Sequence, residues 1–357
     1  MRESFDESLA AHTTMRVGGP AQRFVRAETI DAVVDVIREV DDADEPLLVL
    51  GGGSNLVIAD SGFEGTVVQI ATHGIEVESS DSCGGAFVRV AAGEVWDEVV
   101  ARAVAEGWSG IEALSGIPGS AGATPIQNVG AYGQEVAQTI ARVRVWDRHD
   151  QAVRTLAAAD CAFTYRHSLF KATDRYVVLD VSFQLALDSR SRPIAYADLA
   201  RQLGVETGAR VPLGDAREAV LVQRRLRGMV LDVQDHDTWS CGSFFTNPIM
   251  SASAFERLEE RVAERLGPDA PVPPRFADDQ GDVKTSAAWL IDKAGFSKGF
   301  GLPGPAALST KHTLAVTNRG DATAYDVLAL ARRVQAGVHD AFGITLVNEP
   351  VLVGLTL

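Results

Sequence analysis

The chain has 357 residues, which is longer than one ordinary domain and predicts two or three domains, each able to bury a core. Its 46% hydrophobic and 23% charged residues are typical of a soluble globular protein, and no apolar run is long enough to span a membrane. The net charge of -15 has the wrong sign for a duplex-binding protein, so we expect no nucleic-acid partner. The first residues lack the pattern of a signal peptide, and we expect a cytoplasmic protein.

The first segment, residues 1–72, predicts an α/β unit. Residues 29–40 carry apolar side chains at helical spacing, and the apolar residues 47–50 predict a buried strand. Three glycines follow at 51–53, and residues 56–58 are again β-like. A Rossmann or Walker loop needs a helix directly after its glycines, so neither is predicted. The loop is either a nest of backbone amides that binds an anion or a tight turn.

The second segment contains an unusual stretch at residues 114–133, with five glycines, two prolines and almost no charge. It follows a predicted strand at 87–90 and a predicted helix at 95–104. Abundant small residues with little charge indicate either backbone that approaches a large, partly apolar cofactor or a closely packed backbone crossing. Strands at 143–146 and 176–183 are predicted to complete the segment.

The third segment begins after a predicted helix at residues 215–223. Helical spacing predicts two further helices, at 286–295 and 323–342. The chain is predicted to close with an apolar strand at 344–355. The three cysteines are far apart and the histidines form no cluster, so we expect reduced thiols and no metal site.

Two polar residues lie in surroundings that are unusual for the protein surface. Arg166 is flanked by aromatic residues, and such a guanidinium either binds a carboxylate or an oxyanion, or forms an ion pair at a strand edge. Ser243 lies between a glycine and two phenylalanines without the G-x-S-x-G pattern of a hydrolase. Its hydroxyl either donates a proton in a reaction or bonds to nearby backbone in a turn.

Glu349 and Tyr196 are two further candidates. Glu349 lies in an apolar stretch, where a carboxyl group is either paired or partly protonated, and partial protonation is a condition for general-acid catalysis. The alternative is that Glu349 lies at a strand edge beside Pro350 and faces water. Tyr196 follows the polar run 188–192. An aromatic residue there serves either as a lid over a site or as a hydrophobic staple at the start of a helix.

Together, these stretches resemble the flavin-dependent UDP-N-acetylenolpyruvoylglucosamine reductases of bacterial peptidoglycan precursor synthesis. The resemblance runs from about residue 11 to residue 354. It rests on the following motifs: HTTMRVGGPA at 12–21, GGGSN at 51–55, IPG at 117–119, IQNVGAYG at 126–133, YR at 165–166, GSFFTNP at 242–248 and SAAWLI at 286–291.

The resemblance implies an α+β fold with a two-part FAD-binding region of the vanillyl-alcohol-oxidase/PCMH type and a C-terminal α/β substrate-binding domain. The implied domains are an FAD-binding subdomain at 1–72, a second at 73–224 with a tyrosine-bearing insert near 186–202, and a substrate-binding domain at 225–357. The last strand, at about 344–357, is expected to return to the active site. The insert is similar to that of the subclass with a mobile, substrate-capping tyrosine.

The resemblance also implies the ligands and the residues that bind them. FAD is the expected bound cofactor, NADPH the hydride donor, and the enzyme is expected to act as a monomer on a small-molecule substrate. The expected FAD-binding residues are Leu50, Gly51, Gly52, Gly53, Ser54, Asn55, Leu56, Ser115, Gly116, Ile117, Pro118, Gly119, Gly122, Ala123, Gln127, Asn128, Gly130, Ala131, Tyr132, Gly133 and Tyr165. The expected substrate-binding residues are Tyr196, Arg227, Asn247 and His312.

The catalytic positions implied by the resemblance are Ser243, Arg166 and Glu349. Hydride would pass from flavin N5 to C3 of the enolpyruvyl group, Ser243 would protonate C2, and Arg166 and Glu349 would stabilise the enolic intermediate. Relatives often carry lysine where this chain has Arg227, which keeps the charge but changes the geometry. An FAD oxidase of the same cofactor-binding superfamily and a nucleotide-sugar-binding protein without turnover are the alternatives.

Overall fold

The structure is a computed structural model that describes residues 1–267, 269–277 and 281–357. Over these residues the strands are β1 (Arg2–Ser8), β2 (Pro20–Ala27), β3 (Leu47–Leu50), β4 (Leu56–Ile58), β5 (Phe63–Ile70), β6 (Ile75–Asp81), β7 (Gly85–Ala91), β8 (Trp108–Ser109), β9 (Gly130–Ala131), β10 (Gln134–Glu135), β11 (Ile140–Asp147), β12 (Ala152–Ala157), β13 (Tyr176–Leu187), β14 (Ile249–Met250), β15 (Phe276–Ala277), β16 (Val283–Lys284), β17 (Ala306–Leu308), β18 (Val316–Asn318) and β19 (Val351–Val353). The helices are α1 (Ile30–Asp42), α2 (Trp96–Ala105), α3 (Ala197–Leu203), α4 (Leu213–Leu226), α5 (Ala252–Leu266), α6 (Ala287–Lys293) and α7 (Ala324–Phe342).

The described chain divides into two compact units. Unit 1 comprises Met1–Glu7, Pro20–Gly53 and Phe63–Val230, and unit 2 comprises Ser8–Gly19, Ser54–Gly62 and Leu231–Leu357. The division into three domains stays a prediction. Each unit has a hydrophobic core of its own, so each provides a separate framework for polar side chains.

Unit 1 contains two main sheets. The first has the strand order β1-β2-β5-β3, in which β2 and β3 both pair in parallel with β5. The second has the path β12-β11-β13-β7-β6, with antiparallel pairing throughout and β8 added on β13. Trp96 of α2 is fully buried and its ring lies 5.7 Å from that of Phe183 on β13, so helix and sheet share one core.

The helix and strand predicted before the glycine loop are confirmed. The Thr29 side chain accepts a hydrogen bond from the Ala32 amide and caps α1, and the α1 face that carries Val33 and Ile37 is fully buried. Strand β3 matches the predicted residues 47–50 and ends at the fully buried Leu50. The sequence therefore fixes the point at which the glycine loop leaves the sheet.

Unit 2 is built around α5, α6 and α7 with short strand pairs. Helix α7 begins with a reciprocal capping box between Thr323 and Asp326, as expected for a helix predicted over 323–342. Strands β17 and β18 form an antiparallel pair, and β4 pairs in parallel with β19. The early segment of this unit is tied to its later part because the Thr14 hydroxyl donates to the Ser240 carbonyl at 2.7 Å.

The prediction of an apolar strand over 344–355 is wrong in extent. The strand β19 covers only Val351–Val353, and residues 344–350 are irregular apart from an isolated bridge between Phe245 and Asn348. Pro350 has no N–H to donate, and the Asn348 side chain donates to the Pro350 carbonyl at 2.8 Å. Apolar residues alone do not extend a ladder through such a proline.

Some general properties follow from the described part of the chain. No helix there is both long enough and apolar enough to cross a membrane. Cys83, Cys161 and Cys241 are free cysteines. Within the same residues, no group of three or more histidine, cysteine or acidic side chains is arranged to hold a metal ion.

Candidate functional site

The glycine loop of unit 1 lies directly against the glycine-rich segment that begins at residue 114. A Cβ atom on Gly52 would be 2.7 Å from the Gly119 Cα atom, which is closer than real Cβ atoms approach backbone. Gly53 adopts a positive φ of 60°, which favours glycine. The two sequence motifs therefore form one backbone surface, and glycine is required where they touch.

This surface offers backbone donors for an anion. Gly53 is buried, and within the described residues its N–H donates to no protein acceptor; the same is true of the N–H groups of Gly52 and Gly119. The buried N–H of Gly53 needs a partner, and consecutive amides in a glycine turn suit phosphate oxygens. The residues present therefore fit the pyrophosphate of a dinucleotide such as FAD.

Other side chains in the predicted cofactor segment already hydrogen-bond to protein. Both donors of the Asn128 amide are used, one to Glu135 Oε2 at 2.9 Å and one to the Thr164 carbonyl at 3.1 Å. The Asn128 Oδ1 atom accepts from the Ala137 amide, and the Ser115 hydroxyl donates to the Glu112 carbonyl. These two side chains hold the segment in shape, which leaves its backbone to meet a ligand.

Arg166 is attached to the same glycine-rich segment. Its Nη1 atom donates to the Asn128 carbonyl at 3.3 Å, and its Nη2 atom donates to the Gly130 carbonyl at 2.8 Å. The guanidinium lies 5.2 Å from the centre of the Tyr165 ring. Arg166 itself has a positive φ of 53°, an unfavourable conformation for arginine. The forked cation is thus held in one orientation, as a binding group for an anion requires.

Tyr132, Tyr196 and Arg227 form a second polar cluster in unit 1. The Arg227 Nη1 atom donates to the Tyr132 hydroxyl at 3.0 Å, and the Tyr132 and Tyr196 rings meet edge to face at 5.8 Å. Tyr196 is 52% exposed and immediately precedes α3. The structure therefore brings together three residues that the sequence analysis assigned separately to the cofactor and the substrate.

In unit 2, the backbone segment that carries Ser243 lies beside the segment that carries Glu349. The Glu349 amide donates to the Phe244 carbonyl at 2.9 Å, and the neighbouring bridge joins Phe245 to Asn348. The side chains of Phe244 and Phe245 are almost fully buried and fix the backbone on either side of this bridge. Arg166 belongs to unit 1. Within unit 2, the serine and the carboxylate are thus held on adjacent backbone segments.

The Ser243 hydroxyl forms no hydrogen bond with any described residue. Its alternative interpretation, a turn in which the hydroxyl bonds to nearby backbone, is therefore not seen in the described chain. Gly242 has a positive φ of 74°, and its amide donates to the Ser240 hydroxyl at 3.2 Å. The turn is held by Ser240 and Gly242, so the Ser243 hydroxyl is available for a ligand.

Cys241 lies beside these two segments, and its thiol is buried. Burial raises the pKa of its thiol to about 12. Its Sγ atom lies 3.2 Å from the Leu56 carbonyl, to which it donates. Because a neutral thiol is a poor nucleophile and metal ligand, Cys241 fills space next to the two polar residues.

Asn55, Asn247 and His312 also lie in unit 2. The Asn55 side chain donates to the Glu349 carbonyl at 3.4 Å, so the end of the GGGSN motif supports the glutamate segment. The Asn247 Oδ1 atom accepts from the Ala287 amide at 3.0 Å and holds the start of α6. The His312 amide donates to the Ser309 hydroxyl at 3.3 Å, within a turn after β17. Asn55 thus has a direct link to the serine and glutamate pair.

Glu112 is a buried carboxylate whose role was not predicted from the sequence. This carboxylate is 2% exposed and accepts from the Gly110 amide at 2.7 Å, from Gln134 Nε2 at 2.9 Å and from the Arg192 amide at 2.6 Å. It therefore fastens the segment that carries Tyr196 to the end of the glycine-rich stretch. The sequence does contain one signal of a buried role, because Glu112 is the only acidic residue in the otherwise uncharged run 108–118.

Comparisons with known proteins agree with this arrangement of motifs. Residues 21–156 match the family model described as an FAD binding domain. Residues 234–353 match the model for the C-terminal domain of UDP-N-acetylenolpyruvoylglucosamine reductase. The first match defines the class of the protein as one built on an FAD-binding fold, which agrees with the donor-rich glycine surface of unit 1.

Similarity to individual proteins is high over the full chain. The chain is 59% identical to the UDP-N-acetylenolpyruvoylglucosamine reductase of Thermobifida fusca, with 98% of this chain and 97% of that protein covered. It is also 59% identical to the protein of that name from Streptomyces avermitilis, with 100% and 96% covered. The crystal structure of the Thermus caldophilus reductase matches with a TM-score of 0.66 at 26% identity and covers 99% of each chain. The chain therefore belongs to the UDP-N-acetylenolpyruvoylglucosamine reductase family, and the fold class inferred from the sequence is confirmed.

Proposed function

We propose that this protein uses NADPH and FAD to reduce UDP-N-acetylglucosamine enolpyruvate to UDP-N-acetylmuramate, a step of peptidoglycan precursor synthesis. Its membership of the reductase family and the matched FAD-binding domain support the reaction and the cofactor. The observation that carries the proposal is the pairing, in unit 2, of the Ser243 segment with the Glu349 segment, which leaves the serine hydroxyl available.

The proposed catalytic groups act on the charge that develops in the substrate. FAD, when bound, supplies the hydride that NADPH provides. Arg166, and Glu349 with its carboxyl group protonated, donate to the negative charge that forms at C2 and on the substrate carboxylate, because oriented donors bind a transient charge more strongly than the neutral ground state. Ser243 delivers a proton to C2. A hydroxyl is a weak acid in water, but an enolate is basic enough to take its proton when the geometry is fixed.

The remaining predicted residues have binding roles in this proposal. The backbone of residues 51–53 and 115–133 binds FAD, with the N–H groups of Gly52, Gly53 and Gly119 directed to the pyrophosphate. Tyr196, Arg227, Asn247 and His312 bind the nucleotide sugar. We further propose that the protein works as a monomer in the cytoplasm, which size-exclusion chromatography and cell fractionation would test.

The experiment that tests the proposal follows the flavin absorbance in an anaerobic stopped-flow instrument. The purified protein is expected to be yellow, to bleach with NADPH and to regain its colour promptly when UDP-N-acetylglucosamine enolpyruvate is added. A colourless protein that takes up no FAD would contradict the proposal. So would a reduced flavin that oxygen reoxidises rapidly and the nucleotide sugar does not, which is the behaviour of an oxidase.

A further inference from the structure

The backbone of Arg166 lies in a strained tight turn, and the roles assigned above do not explain what keeps it there. Thr164 and His167 close this turn, because each donates its amide to the carbonyl of the other, at 3.1 and 3.2 Å. Arg166 is the second of the two residues between them and has a φ of 53°. A positive φ at that position of a turn favours glycine or asparagine. Neighbouring groups must therefore stabilise the turn if arginine is to occupy it.

Lys171 contacts this turn directly. Its Nζ atom donates to the Arg166 carbonyl at 3.0 Å. The other polar group of the same peptide, the His167 amide, donates to the Thr164 carbonyl, which also accepts from the Asn128 side chain at 3.1 Å. The peptide between Arg166 and His167 is thus held at both its oxygen and its nitrogen. The bond to its oxygen comes from a cation, and such hydrogen bonds are stronger than those between neutral groups.

Lys171 is itself held in place by the chain around it. Its amide donates to the Ser168 carbonyl at 3.1 Å, in a turn that directly follows the Arg166 turn. Ser168 is fully buried, and its hydroxyl donates to the Ile126 carbonyl at 2.6 Å and accepts from the Phe170 amide at 3.1 Å. The lysine side chain therefore leaves a backbone that is tied to the glycine-rich segment.

The turn determines where the Arg166 guanidinium lies. The backbone angles of a residue decide which side-chain rotamers it can adopt. From this turn the guanidinium reaches the Asn128 and Gly130 carbonyls, at 3.3 and 2.8 Å. A change at the Arg166 peptide would redirect the side chain, and a displacement of about 1 Å at a binding group can slow a reaction about 10²-fold.

We propose that Lys171 is a positioning residue for Arg166. Its ammonium group holds the Arg166 peptide in the left-handed conformation and so directs the guanidinium to the carboxylate of the substrate. This inference rests on the proposed function, which gives Arg166 its role at the enolic intermediate. Lys171 acts on the reaction through Arg166 and not by touching the substrate.

Kinetics of Lys171→Met test the proposal, because methionine keeps much of the apolar side chain and loses the donor. In the FAD-loaded protein we expect reduction by NADPH at the wild-type rate, a higher KM for the nucleotide sugar, and flavin reoxidation that is about 10- to 100-fold slower, since a hydrogen bond from a charged group is lost. Lys171→Arg keeps a cation and should restore most of the reoxidation rate; a rate as low as that of Lys171→Met would contradict the proposal. Lys298→Met is the matched control and should equal the wild type, since Lys298 is exposed.

A double-mutant comparison separates positioning from a general effect on the fold. In Arg166→Ala there is no guanidinium to direct, so the addition of Lys171→Met should slow reoxidation by less than about 2-fold beyond Arg166→Ala alone. A purely structural role, or a direct contact between Lys171 and the substrate, would make the two effects multiply. That result would overturn the proposal.

The outcomes also separate this proposal from the proposed function. Wild-type reoxidation by a folded Lys171→Met protein would overturn the role of Lys171 and leave the proposed function intact. A wild-type protein that the nucleotide sugar does not reoxidise would overturn both. If Lys171→Met takes up no FAD, Lys171→Gln is measured instead. Its amide is neutral and its side chain is shorter, so slow reoxidation is again expected, and a wild-type rate would overturn the proposal.

Discussion

The amide of Glu349 donates a 2.9 Å hydrogen bond to the carbonyl of Phe244, the residue that follows Ser243. A carboxylate and a hydroxyl that are about one hundred residues apart in the sequence are thereby fixed on neighbouring segments. The buried ring of Phe244 on one side and β19 on the other limit how far either segment can shift. This backbone contact holds the two candidate catalytic groups of unit 2 on neighbouring segments.

Replacing Glu349 with glutamine tests the role of the carboxyl group. We expect Glu349→Gln to be reduced by NADPH as the wild type is, and to be reoxidised by the enolpyruvyl nucleotide sugar about 10²- to 10³-fold more slowly, because an amide N–H is a weaker donor to the developing charge than a protonated carboxyl group. Stopped-flow flavin absorbance measures both steps. Glu260→Gln, an exposed change on α5, is the control and should match the wild type. Wild-type reoxidation by Glu349→Gln would remove Glu349 from the proposed mechanism.

Replacing Arg166 with lysine tests the forked cation. The guanidinium donates to two carbonyls, and a single ammonium group cannot reproduce both bonds while it also offers a fork to a carboxylate. We expect Arg166→Lys to raise KM for the nucleotide sugar and to slow flavin reoxidation by about 10²-fold. The exposed Arg265→Lys change serves as the control. Unchanged steady-state and single-turnover constants would show that charge alone suffices at position 166.

Removing the Glu112 side chain tests how the segment carrying Tyr196 is fastened. Glu112→Ala leaves three donors, on Gly110, Gln134 and Arg192, without their acceptor. We expect the free energy of unfolding in urea to fall by about 2–4 kcal/mol, because buried donors lose a charged partner. Glu106→Ala, an exposed change at the end of α2, should alter it by less than about 0.5 kcal/mol. Equal effects of the two substitutions would contradict this role.

The buried carboxyl group of Asp147 is expected to make the stability of the folded protein depend on pH. Its side chain is fully buried, and hydrogen bonds from Arg175 lower the pKa of the carboxyl group from 3.8 to about 2. The unfolded chain therefore binds a proton more readily than the folded chain as the pH falls through this window, so the stabilisation is complete above about pH 4 and is lost towards pH 2.

Thermal unfolding of Asp147→Asn checks this prediction. At pH 7 the variant should unfold at a lower temperature than the wild type, by an amount that corresponds to about 1–2 kcal/mol, because solvent screens the charges of the partly exposed partners Arg154 and Arg175. The difference should shrink as the pH is lowered from 4 towards 2, in line with the shifted pKa of Asp147. A difference that stays constant over this range would contradict the assignment.

Local patterns were sufficient to predict most regular elements. The periodicity of residues 29–40 and the capping pattern at Thr323 identify α1 and α7, and four consecutive apolar residues identify β3. The strand predicted from the apolar run at 344–355 was too long, because apolar character does not show whether a backbone N–H has a neighbouring strand to pair with. Register across distant segments depends on tertiary contacts that a local window does not contain.

In the candidate site, too, local sequence identifies individual residues but not the contacts between them. The motifs that resemble the reductase family identify Ser243 and Glu349, but the backbone contact that joins them is visible only in the structure. Glu112 lies in ordinary local sequence, and only its burial and its hydrogen-bond partners distinguish it.

The most direct test of the central claim is single-turnover reoxidation of the reduced flavin in Ser243→Ala. Reduction by NADPH should proceed at the wild-type rate, because the serine takes no part in that step. Reoxidation by UDP-N-acetylglucosamine enolpyruvate should be slower by roughly 10²- to 10⁴-fold, the usual contribution of a positioned proton donor. Thr246→Ala, which removes a hydroxyl from the same segment, is the control and should reoxidise normally. Normal reoxidation in Ser243→Ala would contradict the account.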